Sequence, residues 1–169
     1  MAYDVKCGSG AFMKTRDAAV QLARRLVDTT RSLGREAAAL VTDMSQPLGE
    51  AVGNALEVRE SIEVLLGRGP ADVRDLTLDL AALMLERAGA EREPAAARQR
   101  ARHALESGAA WLRFLAMALA QGGDRGSVER PDGLPRAPVR ALVKVGRAGR
   151  VTAIDTFVLG KLVVAIGGG

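Results

Sequence analysis

The middle of the chain has the spacing that is typical of amphipathic helices. Apolar residues recur there at intervals of three and four positions, and glycine or proline residues separate the periodic segments. The pattern predicts helices over 17–33, 51–66, 72–87, 94–106 and 109–120. A last apolar helix is predicted to begin at a cap formed by Asp155 or Thr156 and to run toward Ile166.

A short segment of extended character near the amino terminus, and short runs rich in apolar residues further along, predict strands. The predicted strands are 3–6, 37–42, 139–145 and 150–154. The last two are joined around a pair of glycines, which permit a turn. Residues 124–138 contain three prolines and are predicted to form a loop.

The order of these elements predicts an α/β fold. Strand, helix and strand are followed by a helical run that ends at residue 123, and two strands and a helix occupy 139–169. We therefore expect one partial α/β domain over 1–169, with a partial mixed sheet, flanking helices and a helical insertion.

Two loops follow the first two predicted strands. The first is the turn Gly8-Ser9-Gly10, in which glycines allow the backbone to approach a ligand closely. The second, residues 43–47, begins with Asp43 and contains Ser45. Ligands of open α/β sheets bind at the carboxyl ends of the strands. Asp43 and Ser45 could act there as acid and hydroxyl, but capping of the loop is the interpretation that we favour.

Composition excludes several classes of function. Hydrophobic residues make up 48% and charged residues 26%, as in a globular protein. A single cysteine, Cys7, and a single histidine, His103, exclude a disulfide framework and any site that needs two imidazoles. No apolar stretch has the length of a membrane span, and the amino terminus does not resemble a secretory signal. We therefore expect a cytoplasmic protein that does not bind membranes.

The positive net charge of +4 does not indicate nucleic-acid binding. Its densest cluster is Arg98, Arg100 and Arg102, which lies among acidic residues, and aromatic residues are only 3% of the chain. A nucleic-acid surface needs clustered positive charge, preferably with aromatic side chains on which bases can stack. We interpret the cluster as a solvated helix face.

Three segments together resemble one enzyme family. They are DVKCGSGAFM at 4–13, LVTDMSQPLG at 40–49 and VGNALEVRE at 52–60. They are similar to segments of the thymidine phosphorylases and pyrimidine-nucleoside phosphorylases, and 154–160 and the glycines 167–169 fit as well. The resemblance implies a pentosyltransferase of nucleoside salvage. Such an enzyme cleaves thymidine or uridine with inorganic phosphate as co-substrate and releases the free base and a (deoxy)ribose 1-phosphate.

The resemblance also implies site residues. Phe12 matches a position that lines the pyrimidine pocket, although without the resemblance a core phenylalanine is the simpler interpretation. Leu48, Ala51 and Glu60 match positions that bind a potassium ion in bacterial members. A large monovalent cation suits carbonyl and carboxylate oxygens. The alternatives are ordinary turn backbone for Leu48 and Ala51, and a surface acid paired with an arginine for Glu60.

The departures from the family pattern predict an incomplete site. The family's phosphate loop, Lys-His-Ser followed by glycines, is not found in the sequence, and neither are the arginine and the Ser…Lys pair that hold the pyrimidine. We therefore expect a fragment that covers the second part of the α/β domain, lacks the helical domain, keeps half of the potassium shell and is inactive alone.

Two alternatives to an incomplete enzyme remain. One is a catalytically silent structural fragment, and the other is a binding module that reuses the fold. The family is typically homodimeric through its helical domain, which leaves the oligomeric state of this chain open.

Overall fold

Two parallel strands form the sheet. The computed structural model describes residues 1–168, apart from the side chain of Pro131; Gly169, the last of the predicted glycine run, lies outside the described residues. Strand β1 is Ala2–Cys7 and β2 is Ala38–Asp43. They pair in parallel from Ala2 opposite Ala38 to Cys7 opposite Asp43. Both strands therefore end at the same edge of the sheet.

The connection between the strands is helix α1, Arg16–Ser32. Parallel strands need such a crossover, because a tight turn joins only antiparallel ones. Thr15 caps the helix by accepting a hydrogen bond from the Ala18 N–H at 3.3 Å. The small side chains of Ala19 and Ala23 are buried and let the helix approach Val5 of β1 closely. This contact is the core of the α/β layer.

The helical run that the sequence predicts is confirmed. It consists of α2 (Asn54–Leu65), α3 (Ala71–Arg87), α4 (Pro94–Glu106) and α5 (Ala109–Ala120). Each helix buries one or two apolar residues, namely Ile62, Val64, Leu78, Ala82, Ala97 and Leu115. No helix in the described part of the chain is long and apolar enough to cross a membrane.

Two of the three arginines in the α4 cluster pair with acids, as expected of a solvated helix face. Arg98 binds Asp79 of α3 at 2.6 Å, and Arg100 lies 3.9 Å from Glu91. His103 of the same helix is exposed, which the sequence also predicts.

The last part of the chain differs from the prediction. Among the described residues no strand follows Asp43, so the strands predicted at 139–145 and 150–154 are wrong. A strand forms only against a neighbour that accepts its backbone hydrogen bonds, and an apolar run does not supply that neighbour. The side chains of these segments are mostly exposed, for example those of Val139, Leu142, Val143, Val145 and Val151.

The regular elements in this part of the chain are helices. The predicted loop at 124–138 contains the short helix α6, Arg125–Glu129, and a 3-10 turn, Pro131–Gly133. Helix α7 runs over Thr156–Ala165, and its N-cap Asp155 accepts a hydrogen bond from the Val158 N–H at 3.0 Å, as the sequence predicts. The α/β class and the partial sheet are confirmed, and the two strands of the sheet are parallel.

Ile62 tests the packing of the helical run, because it is the largest side chain that is fully buried, at 1% exposure. We expect Ile62→Ala to lower the free energy of unfolding by about 2–4 kcal/mol, since the cavity left behind fills only in part. Urea denaturation measures the change. Leu56→Ala on the same helix, where the side chain is 51% exposed, is the matched control and should cost much less. Equal losses in both variants would contradict this packing.

Candidate functional site

Three segments meet at the carboxyl edge of the sheet. We call them the strand-end cluster: residues 8–14 after β1, 43–45 at the end of β2, and 154–161, which include the start of α7. The Gly10 N–H donates to the Met44 carbonyl oxygen at 3.0 Å. The Thr156 hydroxyl donates to the same carbonyl oxygen at 3.0 Å and lies 2.7 Å from the Ser9 hydroxyl. The Ser9 hydroxyl also donates to the Ile154 carbonyl oxygen at 3.4 Å.

Close backbone approach explains the Gly-Ser-Gly sequence of the first loop. Gly8 has φ +129°, a conformation that other residues rarely adopt, and a Cβ there would lie 2.6 Å from the Ser45 backbone nitrogen. A Cβ on Gly10 would lie 2.7 Å from the Thr156 hydroxyl oxygen. The glycines therefore permit the contact between the three segments.

Asp43 and Ser45 cap their own loop. The Ser45 N–H donates to Asp43 Oδ1 at 2.9 Å. The hydroxyl of Ser45, and to a lesser extent its N–H, stabilises the carboxylate and holds the pKa of Asp43 below its ordinary value. This geometry confirms the capping interpretation.

The side chain of Phe12 projects from the strand-end cluster into solvent. It is 98% exposed, so the interpretation as a core phenylalanine is wrong. The loop beneath it is anchored, because Ala11 is buried and donates its N–H to the Gly8 carbonyl oxygen at 3.1 Å. The ring is thus presented on fixed backbone. Its role as a wall of a pyrimidine pocket stays a prediction.

Two cations lie over a second aromatic ring in the same cluster. The ammonium nitrogen of Lys14 is 5.5 Å from the centre of the Phe157 ring, and that of Lys161 is 4.9 Å from it. Lys14 also donates to the Ser9 carbonyl oxygen at 2.8 Å. The motifs in the sequence did not point to these side chains. The spacing of Phe157 and Lys161 on one helix face is a signal that could have found that pair.

Glu60 lies at the turn that contains Leu48 and Ala51. Its Oε1 accepts hydrogen bonds from the N–H groups of Glu50, at 2.9 Å, and Ala51, at 3.0 Å. The turn is also held from α3, where Asp72 accepts from the Gly49 N–H at 2.9 Å. The structure therefore brings the three predicted potassium ligands into one region, and the binding of an ion there stays a prediction.

The alternative interpretation of Glu60, a surface acid paired with an arginine, is not what the structure shows. Within the described residues no arginine or lysine nitrogen lies within ion-pair distance of its carboxylate. Its partners are backbone N–H groups instead. The described residues also contain no group of three or more histidine, cysteine or acidic side chains that could hold a metal.

Two cavities lie outside the strand-end cluster. One, of about 380 Å³, is lined by residues of α2 to α5, including Leu78, Leu105 and Trp111. The other, of about 540 Å³, lies between the start of α2, residues 134–140 and the end of α7. Phe12 and Glu60 line neither of them.

Comparison with known proteins identifies the family. The family model described as "Glycosyl transferase family, a/b domain" matches residues 1–111. The chain belongs to this family. It is 42% identical over 171 residues to a thymidine phosphorylase of Burkholderia orbicola, covering 100% of this chain and 39% of that protein. It is 39% identical over 166 residues to a pyrimidine-nucleoside phosphorylase of Staphylococcus aureus strain USA300, covering 98% of this chain and 38% of that protein.

These similarities confirm the resemblance that the three sequence segments indicate. The chain spans about two fifths of the length of the curated relatives it matches. The family model covers both strands, α1 and the helices through α4, and with them the loop that carries Phe12 and the helix that carries Glu60.

Replacement of Glu60 tests its contact with the turn. We expect Glu60→Ala to lower the free energy of unfolding by about 1 kcal/mol, because two N–H groups lose a charged acceptor that water replaces only in part. Glu60→Gln keeps an acceptor oxygen and should cost less. Urea denaturation measures both variants, with Glu106→Ala, an exposed acid on α4, as the control. The same small effect in Glu60→Ala and the control would show that the contact contributes nothing.

Proposed function

We propose that this chain is part of a pyrimidine-nucleoside phosphorylase. The complete enzyme would cleave thymidine or uridine with inorganic phosphate and release the free base and a (deoxy)ribose 1-phosphate. The observation that carries the proposal is the exposed ring of Phe12 at the carboxyl edge of a parallel sheet. Relatives named for this activity, at 39% and 42% identity over nearly the whole chain, support it.

Phe12 would form one wall of the base site. An aromatic ring packs against the flat face of a pyrimidine, and this contact is more favourable for an apolar face of the base than for a hydrated one. A site is effective when its side chains are carried on fixed backbone. The Gly8 N–H donates to the Met13 carbonyl oxygen at 3.0 Å, so the backbone on both sides of Phe12 is held.

We propose that the isolated chain does not catalyse this reaction. Phosphorolysis depends on positioned cations and N–H donors that hold the phosphate and the charge that develops in the transition state. The Lys-His-Ser sequence that the resemblance assigns to phosphate is not present in the 169 residues. His103, the single histidine, is exposed on α4.

We also propose that the turn at Leu48, Ala51 and Glu60 supplies part of a potassium site. Its oxygen donors would be the two main-chain carbonyls and the Glu60 carboxylate. Oε1 of Glu60 is occupied by the N–H groups of Glu50 and Ala51, and Oε2 is the oxygen that remains for a cation. The other ligands would come from another segment of the complete enzyme.

A chimera tests the proposed activity. Residues 1–169 would replace the matching segment of the Burkholderia orbicola enzyme, which aligns with this chain over its whole length. We expect the chimera to release thymine from thymidine and phosphate, and the isolated chain to release none above a denatured control. In the chimera, Phe12→Ala should raise KM for thymidine by several-fold to about tenfold, because one stacking contact is lost.

Leu33→Ala is the matched control for this variant, since it removes an exposed apolar side chain at the far end of α1. It should leave KM unchanged. A chimera that folds, as its melting curve would show, but lacks activity would favour a silent fragment or a binding module. Thymine release by the isolated chain would contradict its proposed inactivity.

Thermal melting tests the potassium site. A partial shell binds weakly, so at a potassium concentration near its Kd we expect a rise in Tm of about 1 °C over sodium at equal ionic strength. Glu60→Gln should abolish the difference between the two ions. A rise of many degrees would indicate a more complete site in this chain, and no difference at any concentration would contradict the proposal.

A further inference from the structure

The larger of the two cavities is lined by both basic and apolar side chains. It lies between the start of α2, residues 134–140 and the end of α7, and its volume is about 540 Å³. Three arginines line it: Arg59, Arg136 and Arg140. We call it the arginine cavity. The apolar lining includes Leu134 and Ile166.

Two of the arginines are held side by side by one carboxylate. Arg59 Nη2 lies 2.6 Å from Asp132 Oδ1, and Arg136 Nη2 lies 2.7 Å from the same oxygen. All three side chains are substantially exposed, so each pair contributes little to stability. The arrangement orients two guanidinium groups without fully neutralising them, because two positive charges share one negative charge.

Arg140 adds a third positive charge. Within the described part of the chain no acidic group lies within ion-pair distance of its guanidinium. The nearby carboxylate of Glu57 accepts from the Gly53 N–H at 2.9 Å and does not line the cavity. Three arginines and Asp132 therefore leave an excess of about two positive charges at the arginine cavity.

We propose that the arginine cavity binds a small organic phosphate monoester, with its dianionic phosphate at the arginines and its apolar body against Leu134 and Ile166. Guanidinium groups match phosphate oxygens with paired N–H donors and are less strongly hydrated than ammonium groups. A dianion would balance the charge excess. A carboxylate group offers fewer oxygens and a single negative charge, so it complements the three arginines less well.

The size of the cavity favours an organic ester over free phosphate. Sites for small organic molecules have volumes of about 300–1,000 Å³ and combine an apolar lining with a few polar groups that fix orientation. The arginine cavity shares no residue with the strand-end cluster or with Leu48, Ala51 and Glu60. The inference therefore does not depend on the proposed phosphorylase function.

Phenyl phosphate is a suitable probe, because it joins a dianionic phosphate to a flat apolar group. Titration calorimetry on the full chain should show saturable binding of phenyl phosphate, weaker binding of inorganic phosphate and of benzoate, and none of phenol. Arg136→Gln and Arg140→Gln should each raise the Kd for phenyl phosphate by about tenfold, because each removes charge-assisted hydrogen bonds. Ile166→Ala should weaken the binding of phenyl phosphate but not the binding of inorganic phosphate.

Arg147→Gln is the matched control, since Arg147 is an exposed arginine nearby in the sequence that does not line the cavity. It should leave the Kd unchanged. In the unmutated chain, phenyl phosphate should change the amide chemical shifts of Gly53, Asn54 and Gly168, which line the cavity. This measurement does not depend on whether the variants are stable. Equal effects of all three arginine replacements would show non-specific attraction and overturn the proposal. No saturable binding of phenyl phosphate, or shifts confined to other residues, would overturn it as well.

Discussion

The parallel register of the two strands determines where the site residues lie. Cys7 pairs opposite Asp43, so both strands deliver their following loops to one edge. The Met44 N–H donates to the Cys7 carbonyl oxygen at 2.6 Å and extends the pairing by one step into those loops. A shift of the register by one residue would turn every side chain of a strand to the other face and separate these loops. The positions of Phe12, Ser9 and Ser45 follow from this pairing.

The sequence predicts the features that depend on neighbours close along the chain. Helices α4 and α5 begin and end where the apolar spacing, Pro94 and Gly108 place them. Asp4 and Lys6, two apart on β1, share a face of the strand and form an ion pair at 2.6 Å. The cap at Asp155 is equally local. In each case the residues that decide the structure are within a few positions of one another.

Features that depend on distant neighbours were not predictable in the same way. The apolar runs in 139–154 have the composition of strands, yet composition does not specify a pairing partner. The hydroxyls of Ser9 and Thr156 are 147 positions apart, and no spacing rule joins them. The contact of Glu60 with the turn depends on a loop conformation that only packing against α3 defines. Resemblance to the family identified Glu60 as a candidate site residue. It did not predict the two N–H groups from which the Glu60 carboxylate accepts hydrogen bonds.

Helix α7 has an unusual mode of attachment, because none of its residues is buried. At one end Thr156 is bound to Ser9 and Met44, and just beyond the other end the Gly168 carbonyl oxygen accepts from the Asn54 N–H at 3.4 Å. Its ten residues make a rod about 15 Å long that is hydrogen-bonded at or near both ends, and its side chains in between are exposed or half-buried. The helix therefore spans the distance between the lining of the arginine cavity and the loop that carries Phe12.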